Sequence, residues 1–265
     1  MDNTKEYFKD ISDRWTKRYD QAPQTIWDLD LLLRRENVHR MIDALLATQP
    51  QRPLQVLDIG CGTGDALDGY CRSQLQVRGF DLVPEMVAIA QKNHPEDHYD
   101  VQDIKNLPLK KNSRDIIICL GVLEYVDDPS LALKGMFEEL KPGGTVIVSF
   151  PNNKCILRHL TRWLTMLEQT AATIIRKLQG RSRRTTPSQY EHTSWYPDRV
   201  KRMLHANGIH YDRVYYNTFA IGGRLGSLRP MIALSKWLTK RLYQHPLGEY
   251  FAMTTVFQGT RLKRH

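Results

Sequence analysis

Short apolar runs recur through the first part of this chain, each closed by charged or turn-forming residues. Val56–Ile59, Gln76–Leu82, His98–Gln102, Arg114–Leu120 and Thr145–Phe150 have the length and β-branched content of buried strands. Between them the apolar spacing lengthens to three and four, as for helices. Residues 28–48 carry Leu31, Leu32, Val38, Ile42, Leu45 and Leu46 at such spacings. Pro84 suits the first turn of a helix, and Asp127-Asp128-Pro129 reads as a capped helix start rather than as metal ligands. Ahead of these, residues 3–19 set Tyr7, Phe8, Ile11, Trp15 and Tyr19 on one helical face. Strand and helix in alternation predict an α/β sheet that is mostly parallel. Past Phe150 the rhythm changes. From 154 to 179 the apolar positions 156, 160, 163, 164, 167, 171, 174, 175 and 178 trace one helical stripe, and Leu228–Leu242 repeats the theme. Thr193-Ser194 ahead of Trp195-Tyr196-Pro197 reads as a helix start, with Gly208 as its stop. Ile209–Asn217 and Tyr250–Leu262 read as the last two strands.

The first strand ends in Asp58-Ile59-Gly60-Cys61-Gly62-Thr63-Gly64. A glycine turn after a strand lets backbone approach a ligand where no Cβ would be tolerated. At the carboxyl end of the first strand of an open sheet, that ligand carries a nucleoside. The spacing is G-x-G-x-G, not the G-x-G-x-x-G that makes room for a pyrophosphate. Asp58 is a poor neighbour for phosphate and a good one for an amine or sulfonium. These residues resemble the first motif of the class I S-adenosylmethionine-dependent methyltransferases, and the resemblance continues in order. Asp81 ends the second strand, 21 residues past Gly60, Asp103-Ile104 follows the third, and Leu140-Lys141-Pro142-Gly143-Gly144 leads into the fifth. It covers roughly residues 53–150, and its alternative is a Rossmann-like oxidoreductase with a degenerate glycine loop.

The resemblance implies a Rossmann-like, seven-stranded, mostly parallel sheet with an antiparallel last strand, N-terminal helices and a helical lid inserted after strand five. One domain, residues 1–265, is expected, comprising a helical cap (1–50), a cofactor half (51–150), a basic amphipathic insertion (151–192) and a substrate-side half (193–265). The implied cofactor is S-adenosyl-L-methionine. Asp81 would accept from both ribose hydroxyls and Asp103 from the adenine amine, with the amide of Ile104 donating to the ring. Asp58, Gly60, Cys61, Gly62, Gly64, Leu82, Met86 and Leu120 complete the expected cofactor set. Tyr19 is the preferred lid residue from the N-terminal helix, the alternative being an aromatic that only packs on the sheet edge.

Charge divides the chain unevenly. Residues 1–150 hold 18 Lys and Arg against 24 Asp and Glu, whereas residues 151–265 hold 20 against 5. The strongly basic half points to an anionic acceptor or an anionic surface. Residues 154–184 combine an apolar stripe with Lys154, Arg158, Arg162, Arg176, Lys177, Arg181, Arg183 and Arg184. Such a helix suits the plane of a membrane interface, and it serves equally as a cap on the active site or as a dimer contact. No apolar run is long enough to span a bilayer, and no segment has the pattern of a signal peptide. Cys61, Cys71, Cys119 and Cys155 show neither close pairing nor metal-ligand spacing. Buried free thiols in the cytoplasm are expected, with peripheral contact at the inner face of a membrane if the insertion seats on lipid. No metal is expected, and the oligomeric state has no signature here.

Transfer to a neutral hydroxyl needs a base. His192 is the candidate, ahead of the helix after the insertion, against the alternative of a histidine bonded locally at a helix entry. Many relatives carry Glu-His after the fourth strand, where this chain has Glu124-Tyr125. Tyr125 is left there as a substrate-orienting candidate, and His159 reads as a surface residue. The expected acceptor is a small molecule, methylated on oxygen and either lipophilic, lipid-linked or a glycan intermediate. The layout is similar to that of the ubiquinone-biosynthesis O-methyltransferases. Nucleic acid is disfavoured: the Asn/Asp-Pro-Pro-aromatic loop of base-amine methyltransferases is replaced here by Cys119-Leu120-Gly121-Val122. A non-catalytic scaffold is disfavoured by the intact Asp58, Asp81, Asp103 and glycines.

Overall fold

The computed structural model describes residues 2–15, 17–48, 52–71, 73–107, 110–126, 128–179, 193–222, 226 and 228–262. Seven strands form one sheet: β1 (Leu54–Ile59), β2 (Leu75–Asp81), β3 (His98–Val101), β4 (Arg114–Cys119), β5 (Leu140–Pro151), β6 (Ile209–Asn217) and β7 (Thr254–Arg261). Their order is β3-β2-β1-β4-β5-β7-β6. Pairs among β1 to β5 are parallel, and β7 runs antiparallel to both β5 and β6. The chain therefore builds outward from β1 through β2 and β3, then returns to start again at β4. The carboxyl ends of β1 and β4 lie where the order reverses, the place where open sheets of this kind leave a crevice.

Alternation along the central strands fills both faces. Leu57, Ile59, Ile117 and Cys119 point to one side, against Leu133 and Met136 of α5 (Pro129–Glu139) and Val200 and Leu204 of α7 (Pro197–Ala206). Val56, Ile116, Ile118 and Ile147 point to the other, against Val38, Met41 and Ile42 of α3 (Ile26–Thr48). The strands carry few polar positions because neither face meets water. Asp128 caps α5, its Oδ1 accepting from the amide of Ser130 at 2.9 Å, and Pro129 takes the first helical position. The second strand leads through α4 (Pro84–Asn93) to β3.

Several boundaries depart from the sequence reading. The expected helix over 3–19 is helical at Asp2–Trp15 (α1) and Lys17–Asp20 (α2), with residue 16 outside the described residues. Pro142-Gly143-Gly144 is a bulge inside β5, where the register with β4 jumps between Arg114 and Ile116, with Gly143 at φ 83. Thr193-Ser194 does not cap α7. Trp195 instead bridges to Asn152, and the hydroxyl of Ser194 donates to Asn153 Oδ1. Tyr250 lies in a helical turn, Gly248–Phe251, rather than in β7. That turn is held by Asn152, whose Nδ2 donates to the carbonyls of Glu249 and Ala252 at 2.9 and 2.8 Å. Cys61, Cys119 and Cys155 are buried free thiols, but Cys71 is exposed.

After β5 comes α6 (Ile156–Leu178), and between β6 and the Gly248 turn comes α8 (Arg229–Leu242). Leu157 at the root of α6 and Ile232 of α8 meet Ile26, Leu29 and Leu33 of α3 in one cluster. Both helices thus sit on the α3 side of the molecule. None of the described helices is long and apolar enough to cross a membrane.

Candidate active site

A cleft with about 1410 Å³ of empty space, open to solvent, runs along the carboxyl ends of β3, β2, β1 and β4. Neighbouring strands stand about 4.8 Å apart. The loops after these four strands therefore span about 14 Å, in the order Asp103, Asp81, Gly60, Gly121.

The glycine loop is pinned to β2. The amides of Gly60 and Cys61 both donate to the carbonyl of Phe80, at 2.7 and 3.0 Å. Gly60 is left-handed at φ 71, and a Cβ there would lie 2.0 Å from Val122 Cγ2. A Cβ on Gly62 would lie 3.3 Å from Nε1 of Trp15, so that glycine lets α1 close over the loop. Asp81 receives the amides of Gly62 and Val83 on its two oxygens, each at 2.9 Å, and still lines the cleft. Asp58 is buried beneath the loop. Burial, reinforced by the charge of Asp81, pushes its carboxyl up to about 7. Burial also raises Asp81, against the opposing pull of the amides it accepts from. Two acids held in so little water favour a cationic or donor-rich ligand and repel a pyrophosphate. Asp103 accepts the amide of Lys105 at 2.9 Å and reaches the cleft beside Ile104.

Asp58, Gly60, Cys61, Gly62, Asp81, Leu82, Met86, Asp103, Ile104, Leu120, Tyr125 and Tyr19 all line this one cleft. Gly64 does not. At φ 87, it lets the loop pack on His94 and Tyr99, with its absent Cβ 2.7 Å from His94 Cδ2. His192 lies outside the described residues. His159 is exposed, its Nε2 at 2.7 Å from the carbonyl of Asn153. Tyr19 is joined on the roof by Phe8 and Trp15, which the helical periodicity grouped but did not place. Burial holds the Tyr19 phenol up at about 12, so it is neutral. Tyr125 meets Phe8 edge to face at 5.7 Å.

Arg34 and Glu124 also line the cleft, though the sequence reading assigned neither a role and noted Glu124 only beside Tyr125. Glu124 is buried in the short helical turn Leu123–Tyr125 after β4. Burial pushes its carboxyl up to about 7, with Arg34 opposing. Arg34, on α3, lies with Nε 3.0 Å from Asp30 Oδ2, off the line needed for a hydrogen bond. The only hint in the sequence was Asp30 four residues before Arg34 within an otherwise apolar run.

A family model described as a methyltransferase domain matches residues 33–211, taking in every strand of the cleft. The chain belongs to the methyltransferase-domain family. The cofactor that the glycine motif implies is S-adenosyl-L-methionine, which would supply an electrophilic methyl group on a sulfonium. The residues that would hold it are the paired acids, the two Cβ-intolerant glycines and Asp103. This methyltransferase is 36% identical, over 103 residues, to the ubiquinone biosynthesis O-methyltransferase of Xanthomonas campestris pv. campestris. That match spans 37% of this chain and 43% of the relative, under half of either. Magnesium protoporphyrin IX methyltransferase from Synechocystis PCC 6803, solved with S-adenosylhomocysteine, superposes with a TM-score of 0.62 at 18% identity over 97% of both chains. A possible histamine N-methyltransferase from Thermotoga maritima superposes with a TM-score of 0.57 at 18% identity, over 98% of this chain and 100% of that one. At such identities the superpositions establish the fold alone.

Proposed function

We propose that this methyltransferase methylates an oxygen of a small lipophilic acceptor that it meets at an anionic membrane surface. The observation that carries this reading is the outer side of α6. The helix faces the protein through Leu157, Arg158, Thr161, Leu164 and Thr165, with the amide of Gly222 donating to Thr161 Oγ1 at 2.9 Å. Ile156, Leu160, Trp163, Leu167 and Ile174 form a second stripe turned to solvent, with Trp163 54% exposed. Trp237 and Leu234 of α8, rooted in the same cluster, are exposed beside Lys236, Lys240 and Arg241. Contiguous apolar surface edged by basic residues is what an interfacial helix presents to lipid. The relatedness to a ubiquinone biosynthesis enzyme supports an oxygen acceptor of this class. His192, outside the described residues, is the base that the sequence offered, and Tyr125 stays a proposed substrate-orienting residue. The cytoplasm, at the inner face of a membrane, is the proposed location.

Sedimentation with vesicles tests the surface. Vesicles containing phosphatidylglycerol should retain the protein, and pure phosphatidylcholine vesicles should retain much less. Trp163→Glu with Leu167→Glu should abolish retention while S-adenosylhomocysteine still binds. Retention of the double variant equal to that of the unaltered chain, or a concentration-dependent dimer that the double variant loses, overturns the membrane reading.

A further inference from the structure

One buried carboxyl oxygen in the cleft has no described hydrogen-bond partner. Glu124 Oε2 is shielded from water and makes no hydrogen bond, although its own backbone carbonyl is tied to the amide of Thr193 at 3.0 Å. An unsatisfied carboxyl of this kind costs stability, so its persistence implies a ligand group that completes it. Arg34, Gly121 and Glu124 line the cleft together. A Cβ on Gly121 would lie 2.7 Å from Arg34 NH1 and 3.7 Å from Glu124 Oε1, so the glycine lets the guanidinium pack beside the carboxyl at the cleft wall. Gly121, at φ 68, is held by its amide donating to Ser149 Oγ at 2.8 Å.

Arg34 is aimed by an anchored acid. Asp30 accepts from Thr218 Oγ1 at 2.7 Å and from Thr254 Oγ1 at 3.3 Å, besides its ion pair with Arg34. Thr218 adopts φ 59, a costly conformation for a β-branched residue, and the hydroxyl it delivers goes to Asp30. Among the described residues, the charged and titratable groups around Glu124 are Arg34 and Asp30 on α3, Arg158 on α6 and Cys119 on β4.

Position along the sheet separates this cluster from the cofactor's nucleoside end. Asp103 and Asp81 lie over β3 and β2, whereas the Gly121–Glu124 turn follows β4 and presses on the glycine loop through Val122. Resting on the reading of an oxygen acceptor, we propose that Glu124 is the catalytic base and that the acceptor hydroxyl sits in the cleft beside Gly121, its oxygen receiving Arg34 NH1 and its proton facing the Glu124 carboxyl. As the oxygen–methyl bond forms, the carbon–sulfur bond breaks and its electron pair stays on sulfur, leaving a neutral thioether. The hydroxyl proton passes to Glu124 and then to water. A group titrating about 7 is matched to that task at neutral pH.

The test uses two probes, 4-octylcatechol and 4-octylthiophenol, because an aryl thiol ionises readily without a base. Glu124→Gln should lower kcat/KM for the catechol about 100-fold and leave the thiophenol within threefold. In the unaltered protein, catechol turnover should rise with pH to a plateau above about 7, and the thiophenol rate should lack that step. Independently of turnover, adding octylcatechol to the S-adenosylhomocysteine complex at pH 6 should shift a protonated-carboxyl infrared band that Glu124→Gln lacks. Catechol turnover by Glu124→Gln within threefold of normal, or an infrared band indifferent to octylcatechol, overturns the base and leaves the acceptor class standing. If the unaltered protein methylates neither probe, the acceptor reading falls and the base with it.

Discussion

Replacing Gly60 by alanine separates two physical reasons for a glycine in the cofactor loop. The left-handed backbone, φ 71, costs a β-carbon about 1–2 kcal/mol. The second reason is contact: the new methyl would stand 2.0 Å from Val122 Cγ2 and 3.5 Å from Cγ1, where carbons rest at about 3.5–4.0 Å. The loop cannot retreat cheaply, because the amides of Gly60 and Cys61 are both bound to Phe80. Overpacking of this kind adds about 1–3 kcal/mol, so Gly60→Ala should lose about 2–5 kcal/mol in urea unfolding. It should also weaken S-adenosylhomocysteine at least 10-fold by calorimetry. Val122→Ala removes both Cγ atoms and leaves only Cβ, 3.3 Å from the new methyl. On its own it should cost about 1 kcal/mol for a half-buried valine. The double variant should retain the backbone penalty and shed the clash, giving a favourable coupling of at least about 1 kcal/mol and partial recovery of affinity. Effects of the two substitutions that simply add, within about 0.5 kcal/mol, would refute the contact argument.

Asp81→Asn should weaken S-adenosylhomocysteine by at least 10-fold in calorimetry while the fold persists; unchanged affinity would remove Asp81 from the site. Asn152→Ala leaves two buried carbonyls without their donor and the amide of Lys154 without its 2.9 Å acceptor. A loss of about 2–4 kcal/mol is expected in urea, and a change below about 0.5 kcal/mol would show that water replaces the side chain. Asp58 and Glu124 are both raised to about 7 in the folded chain, so the folded state binds more protons than the unfolded state between the ordinary carboxylate range and 7. Their contribution is complete at the acid end of that window and is lost as pH rises to 7. Melting temperatures from pH 4.5 to 7.5 should therefore fall less steeply for Glu124→Gln than for the unaltered chain, and parallel curves would contradict the buried-acid assignment. Asp115 acts oppositely. Paired with Arg52 and Lys141 and pulled down to about 2, it stabilises above the ordinary carboxylate range and ceases to as pH drops through 2.

The cleft unites groups of two kinds, and they differ in how legible they were. Asp58, Gly60, Gly62, Asp81 and Asp103 each sit at the end of a strand, where a short run of residues encodes both the strand and the turn that stops it. Three such strand ends in order were enough to point to one crevice, because parallel strands on one sheet bring their carboxyl ends to one edge. Gly64 shares the motif but does not line the cleft: its neighbours His94 and Tyr99 come from α4's end and β3, beyond the reach of a local pattern.

What the sequence determined by itself, then, was the alternation of strands and helices, the crevice over β1 and β4, and the acids and glycines that line it. These follow from local periodicity and turn chemistry. Tertiary structure alone decided the rest. It brought Asp30 and Arg34 of α3 to Thr218, Thr254 and Glu124, positions separated by about ninety residues or more, and left one carboxyl oxygen among them unpaired. It also decided which side of α6 meets the protein. An amphipathic pattern gives a helix an apolar side without naming its partner, and here Leu157 and Thr161 took the protein while Trp163 and Leu167 were left to solvent. Burial and pairing are sums over long-range contacts, and no window of sequence contains them.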